Sequence, residues 1–197
     1  TAFIDNTGDA QSVDYVKVYD VNGTEDHHIS ATNSWSLGGT TDYWDFPPTL
    51  YTFETTGDWD TASNWEQNVL PSATDNIQVL SGATLNLNGN RTINDIYVEG
   101  IIDIGGDTLI VNGSIVVVDS ISIGTGMLDA NGSFDANNGS ITFTGDGNLT
   151  LASTVTSLGT LSSNNGTVTY DGTDQSVLGD WYYNLVIGGS SGTKTLD

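Results

Sequence analysis

The stretch Asn138-Gly139-Ser140-Ile141-Thr142-Phe143-Thr144-Gly145 returns as Asn165-Gly166-Thr167-Val168-Thr169-Tyr170-Asp171-Gly172, at a constant offset (166 − 139 = 27). Each copy is an Asn-Gly turn signal followed by strict apolar/polar alternation, the pattern of a strand with one buried face. Looser echoes begin at Asn112-Gly113-Ser114-Ile115 and Asn131-Gly132-Ser133-Phe134. Self-similarity at roughly 20 to 50 residues marks a solenoid or an array. Equivalent phrases one coil apart then stack like on like. The expectation is a coil of about 25 residues, about eight coils and, at about 4.8 Å each, a rod of roughly 40 Å.

Around these phrases the alternation predicts short strands at Ile77 to Leu80, Thr84 to Leu87, Ile93 to Val98, Ile101 to Ile104, Thr108 to Val111, Ile115 to Val118 and Ile121 to Ile123. Others follow at Ile141 to Thr144, Leu149 to Leu151, Thr167 to Tyr170 and Tyr183 to Ile187. Brief strands with polar corners suit a chain that coils round a narrow core. Asn-Gly is equally a hairpin signal and recurs at Asn22, Asn88, Asn112, Asn131, Asn138 and Asn165, so antiparallel β-sandwich modules stay open as the alternative fold.

Composition supports an all-β reading. Only 37% of the 197 residues are hydrophobic, and Asn, Asp, Gly, Ser and Thr fill the difference. Against 25 acidic residues stand three basic ones, Lys17, Arg91 and Lys194, for a formal net charge of −22. Such a surface repels phosphate backbones and anionic membranes, which excludes nucleic acid as a partner. There is no Cys to form a disulfide or a thiolate metal site, and no apolar run long enough to insert in a membrane. The chain opens at Thr1 without a signal peptide, which reads as an internal piece of something longer.

Three segments are expected. Residues 1 to 46 carry a sparser strand pattern (Phe3-Ile4, Val13 to Tyr19, His28-Ile29) and read as the end of a preceding β-helical module. Pro47-Pro48 cannot donate to a ladder, so 47 to 75 is an aromatic, proline-containing junction or cap. Residues 76 to 197 form the β-helix module with repeated coils.

The segment Gly57-Asp58-Trp59 through Ala62-Ser63-Asn64-Trp65, then Leu70-Pro71 and Asp75-Asn76-Ile77, resembles a unit of very large secreted surface proteins of the Bacteroidota. Asn165 to Tyr170, Gln175-Ser176-Val177, Trp181-Tyr182-Tyr183-Asn184-Leu185-Val186-Ile187 and Gly192-Thr193-Lys194-Thr195-Leu196 are similar to a second phrase of the same proteins. Residues 3 to 46 are similar to the tail of a preceding unit. The family includes the giant repetitive adhesins of the cell surface and of gliding motility. The resemblance implies a right-handed parallel β-helix, export to the cell surface, and a non-enzymatic role as a stiff spacer among neighbouring modules of one long chain. It carries no catalytic residue to transfer.

Candidate sites are few. Asp58 and Asp60 flank Trp59, while Asp5/Asp9, Asp103/Asp107 and Asp171/Asp174 are close pairs in turn-like contexts, where carboxylates and free carbonyls suit a structural Ca²⁺. The same carboxylates are the only candidates for acid/base pairs of a polysaccharide-degrading β-helix. Scattered, solvated acidity explains them as well. His27-His28 beside Glu25-Asp26 would chelate a metal only if the strand bends, because adjacent side chains point to opposite faces. Trp59 and Trp65 offer stacking faces for surface glycans in a carbohydrate-binding module, and Trp35, Trp44, Trp181, Tyr182 and Tyr183 extend that set; the alternative is that they cap a core. Asn-Gly-Ser/Thr sequons read mainly as turns. By resemblance to Bacteroidota Asp-Ser/Thr-apolar sites, Thr61, Thr108 and Ser120 are O-glycosylation candidates. Thr154-Val155-Thr156 and Thr167-Val168-Thr169 suggest ice-binding rows, which require register on one flat face.

Overall fold

The computed structural model describes residues 50–189 and 192–197 in full, and, before them, the backbone of seven short strands within residues 2–45. The chain divides into two compact units, Thr1–Leu50 and Tyr51–Asp197.

In the second unit the chain is a β-solenoid with three faces, each a six-stranded sheet. On the first face the strands run Leu50–Phe53, Asn76–Val79, Ile96–Val98, Ile115–Val117, Phe134–Asp135 and Val155–Ser157. The second face takes Thr56–Asp58, Thr84–Asn86, Ile101–Asp103, Ser120–Ile123, Ser140–Phe143 and Thr160–Ser162. The third takes Arg91–Ile93, Thr108–Val111, Met127–Ala130, Asn148–Leu151, Thr167–Tyr170 and Asn184–Ile187. Every strand pair of described register is parallel, which removes the antiparallel sandwich. Among the described residues the one antiparallel bridge joins Phe53 to Trp65.

The coil is shorter than about 25 residues. Ile77 stands opposite Ile96, and Ile96 opposite Ile115, steps of 96 − 77 = 19 and 115 − 96 = 19. The 27-residue phrase therefore spans one coil plus one side: Ser140–Phe143 lies on the second face and Thr167–Tyr170 on the third, so the two copies do not stack. The loose echo carries the true period. Ile115 pairs with Phe134, Ser133 Oγ donates to Ser114 Oγ at 2.9 Å, and Asn131 Nδ2 donates to Asn112 Oδ1 at 3.5 Å. Both phrases begin with Asn-Gly because each follows a corner.

Those corner glycines are required for different reasons. A Cβ on Gly139 would stand 2.7 Å from the Val117 carbonyl oxygen, whereas one on Gly166 would enter the Phe143 ring. Gly166→Ala is therefore expected to destabilise by about 1–3 kcal/mol through overpacking. In thermal melts, adding Phe143→Leu should recover part of that loss; no recovery would remove the ring as the cause.

Inward columns make the core. Leu85, Ile102, Ile121, Ile141 and Leu161 follow one another up the second face. Leu109, Leu128, Leu149 and Val168 do so on the third, beside Val111, Ala130, Leu151 and Tyr170. Nearly all are fully buried. Each such Ile or Leu contributes about 1.5–3 kcal/mol relative to exposure, and the alternation that buries it sends Ser, Thr, Asn and Asp outward. Ile93 to Val98, expected as one strand, is broken at Asn94-Asp95, where the Asn76 Oδ1 accepts from Asn94 Nδ2 at 2.8 Å and from the Asp95 amide at 3.1 Å. The side chain of a neighbouring corner thus supplies an acceptor that a continuous strand would not need.

The first unit shows the same local logic. Ala2–Phe3 pairs with Val21–Asn22, Gln11–Asp14 with Ile29–Thr32, Lys17–Val18 with Trp35–Ser36, and Ile29–Thr32 with Trp44–Asp45, all parallel. Gln11 faces Ile29, a step of 29 − 11 = 18. His27-His28, Asp5/Asp9, Pro47-Pro48 and the Trp35 and Trp44 side chains lie outside the described residues.

Candidate functional site

The aromatic segment after the first two strands, Leu50–Phe53 and Thr56–Asp58, is a lid on the first coil. The chain leaves the second face at Asp58, makes a short 3₁₀ turn at Ala62–Asn64, and returns to the first face at Asn76. Trp59 and Trp65 are buried, and Trp65 packs edge-on against Phe53 and Trp59 with ring centroids 5.0 Å from each. The Trp65 indole N–H donates to the Trp59 carbonyl at 2.9 Å. A sugar stacks only on an exposed aromatic face, so the glycan-stacking expectation for Trp59 and Trp65 is corrected: both rings are interior to the lid.

Arg91 closes this lid from below. It opens the third face, opposite Leu109, and so occupies the top of an inward apolar column. With no third-face strand preceding its own among the described residues, its guanidinium lies 5.8 Å from the Trp59 ring and pairs with Asp60 at 2.6 Å, while Nη2 also donates to the Asn88 carbonyl at 2.9 Å. The only Arg of the chain is thus an anchor for the cap.

Five of the six candidate cation ligands are engaged separately. Asp58 accepts from Asn86 Nδ2 at 3.2 Å and Asn88 Nδ2 at 3.4 Å, and Asp60 holds Arg91. Asp103 accepts from the Gly105 amide at 3.2 Å, Asp107 from the Gly89 amide at 2.8 Å, and Asp174 from the Thr193 amide at 2.8 Å. Asp171 has one buried carboxylate oxygen with no hydrogen bond among the described residues. Among those residues no group of three or more His, Asp or Glu side chains converges as a cation site.

Burial, with Asp171 nearby, raises the Asp129 carboxyl above the ordinary aspartate range. The folded chain holds this proton more tightly than the unfolded chain, so the group's contribution to stability falls as pH rises from the ordinary value through the folded one. Asp129→Asn is expected to stabilise the protein at neutral pH by about 0.5 kcal/mol, with the gain vanishing below about pH 4. Urea titrations at both pH values check this; a pH-independent difference would remove the electrostatic cause. A cleft of ≈ 700 Å³, lined by Thr154, Asp174, Gln175, Ser176, Thr193 and Thr195 among others, includes neither Asp129 nor Asp171. Gln175, buried on its inner wall, donates to the Leu151 and Ser153 carbonyls at 2.9 and 2.6 Å and accepts from the Gly172 amide at 3.1 Å.

Thr61 is exposed at the start of the 3₁₀ turn, Thr108 opens a third-face strand and Ser120 a second-face strand, the last two half-buried. The two Thr-x-Thr phrases lie on different faces, the first and the third. A hydroxyl row that the sequence reading missed runs in register on the second face: Ser120 and Ser122, Ser140 and Thr142, Thr160 and Ser162. Its members are invisible as a set until the coil length is known.

At the other end of the unit, Tyr170 and Tyr182 meet edge-on, their hydroxyls 3.1 Å apart. Tyr182 also donates to the Leu178 carbonyl at 2.6 Å. Burial raises both phenols, and the shared hydrogen bond raises Tyr182 further, so both stay neutral at physiological pH.

The fold and packing define a parallel β-solenoid closed at one end by an aromatic lid. Comparison with known proteins found no matching family model, no matching curated protein and no matching solved structure.

Proposed function

We propose that this chain is a non-enzymatic structural segment of a long secreted surface adhesin or extracellular filament, where it acts as a stiff spacer in cell-surface adhesion or gliding. The observation that carries the reading is the in-register stacking of six rungs on each of three faces around a continuous apolar core. In such an array each coil is held by its neighbours, and bending requires opening ladder hydrogen bonds and core contacts together. A net charge of −22 keeps neighbouring rods apart. The resemblance to giant Bacteroidota adhesins supplies the setting: neighbouring modules of the same chain as partners, and the cell exterior as location.

Imaging of the native material tests the reading. Antibodies against this chain should label thin surface filaments whose density repeats axially at about 4.8 Å. Labelling confined to the cell interior, or a compact isolated particle, would sink it.

A further inference from the structure

Tyr97, Ile101, Val116 and Val118 are exposed to 39%, 37%, 36% and 37%. Among the described residues from 76 to 180, no other large apolar side chain is exposed. All four belong to two consecutive coils in the middle of the stack. The strand Ile96–Val98 runs between Asn76–Val79 and Ile115–Val117, and the last of these is covered in turn by Phe134–Asp135. Their exposure is therefore a property of the face and not of an uncovered end. Tyr97 and Val116 stand in register on neighbouring strands, each outward between two buried residues. Val118 follows at the corner, where its amide donates to the Val98 carbonyl at 2.8 Å, and Ile101 opens the second face just past the corner at Gly100. In the same outward row Gln78 precedes Tyr97 and Asp135 follows Val116, so the apolar ground is bounded on both sides.

Carboxylates edge this ground. Glu99, between Tyr97 and Ile101 in the chain, is held in place by Gln78, whose Nε2 donates to its Oε2 at 2.8 Å. Asp119 follows Val118 and Asp103 lies two residues beyond Ile101, both exposed. The two basic side chains among the described residues are engaged elsewhere, Arg91 with Asp60 and Lys194 with the Gly172 carbonyl. We propose that this patch docks a segment of another protein that carries Lys or Arg among apolar side chains, an interaction that goes beyond the spacer reading and does not depend on it. Lys and Arg lay their stems on apolar surface while the charged head reaches outward, here from Tyr97 and Val116 to the carboxylates around them. A guanidinium over the Tyr97 ring gains a further attraction. Charge selects the occupant. A net charge of −22 opposes nucleic acid, an anionic membrane and a second copy of the chain. A partner without cations would cover the patch only by leaving its carboxylates dehydrated and unpaired, which is costly.

The test uses three labelled peptides of equal length, alternating Arg-Val, Arg-Ser and Glu-Val, titrated against the chain by fluorescence anisotropy. The Arg-Val peptide is expected to bind about tenfold or more tightly than Arg-Ser, and Glu-Val not to bind. Tyr97→Ser combined with Val116→Ser should remove that advantage and leave the weak Arg-Ser binding as it was, which also shows that the variant is folded. Glu99→Gln with Asp119→Asn should weaken Arg-Val binding, whereas Asp146→Asn with Asp180→Asn, exposed acids outside the patch, makes the same change in net charge and should not. Equal binding of Arg-Val and Arg-Ser, an Arg-Val advantage that survives the Tyr97/Val116 double variant, or equal weakening by the two charge variants would each overturn the proposal, leaving only diffuse attraction to an acidic surface. So would concentration-dependent self-association that the Tyr97/Val116 variant abolishes, which would give the patch to a second copy. Filament imaging is unaffected by any of these results, so the two readings fail separately.

Discussion

Trp65→Ala is expected to lower stability by about 3–5 kcal/mol, the range for removing a large buried aromatic side chain. Trp65 is 1% exposed and stands at the centre of the lid, edge-on to Phe53, Trp59 and, at 6.4 Å, Tyr51. Its removal opens a cavity at the end of the core and takes away the donor to the Trp59 carbonyl. Trp59, the ring beside which Arg91 lies, then loses its packing partner. The melt should shift sharply downward, and hydrogen exchange should rise first in Leu50–Asp58, the coil the lid covers. Trp181→Ala is the internal control, since its ring contributes nothing to the core. A Trp65→Ala protein that melts like the parent would mean that the lid is an ornament on a self-sufficient stack.

Ile121→Asp should do more damage, above about 4 kcal/mol, because it places an unpaired carboxylate inside the middle of the stack. Ile121 is fully buried between Ile102 of the preceding coil and Ile141 of the following one, in register with both. No basic side chain lies in that column to pair with a charge. The new carboxyl should respond by taking up a proton, its pKa rising by about 3 units or more. Stability lost at neutral pH should therefore return in part as pH falls toward the raised value. Because each coil rests on the next, the loss should spread to both neighbours. Exchange measurements should show protection falling in Ile101–Asp103 and Ser140–Phe143 as well as in the altered strand. Loss confined to Ser120–Ile123, or insensitive to acid, would contradict the one-dimensional coupling on which stiffness depends.

The repeated phrase announced a solenoid correctly and its pitch incorrectly, for a physical reason. Alternation reports only that one side of a strand is buried, and all three faces of this coil bury one side in the same way. Phrases at Ser140–Phe143 and Thr167–Tyr170 consequently look alike although they stand on different faces. The 19-residue period was present in Asn112 to Ile115 and Asn131 to Phe134, where turn residues repeat along with the apolar ones. Strands at Met127–Ala130, Phe134–Asp135 and Thr160–Ser162 escaped the pattern because Met, Ala, Asp and Ser carry little strand signal. Packing on the rungs above and below holds them in the sheet.

The candidate site was legible as residue types and illegible as exposure. Trp59, Trp65 and Trp181 look equivalent in a sequence, yet two are core and one is surface, because only the first two meet the open end of the apolar columns. Arg91 gave a single hint, its being the only Arg in so acidic a chain. Nothing local says that its strand is the first on the third face, which is what turns an inward position into a place for a guanidinium.

By itself the sequence determined that this protein is built of short strands with polar corners and that it carries 25 acidic residues against three basic ones. Those properties follow from composition and from the two-residue period, which are local. Tertiary structure decided the pitch, the three faces, the lid and which tryptophans are buried. Each of these depends on which coil lies above or below a residue, and that neighbour is some 19 positions away in the chain, beyond the reach of any local pattern.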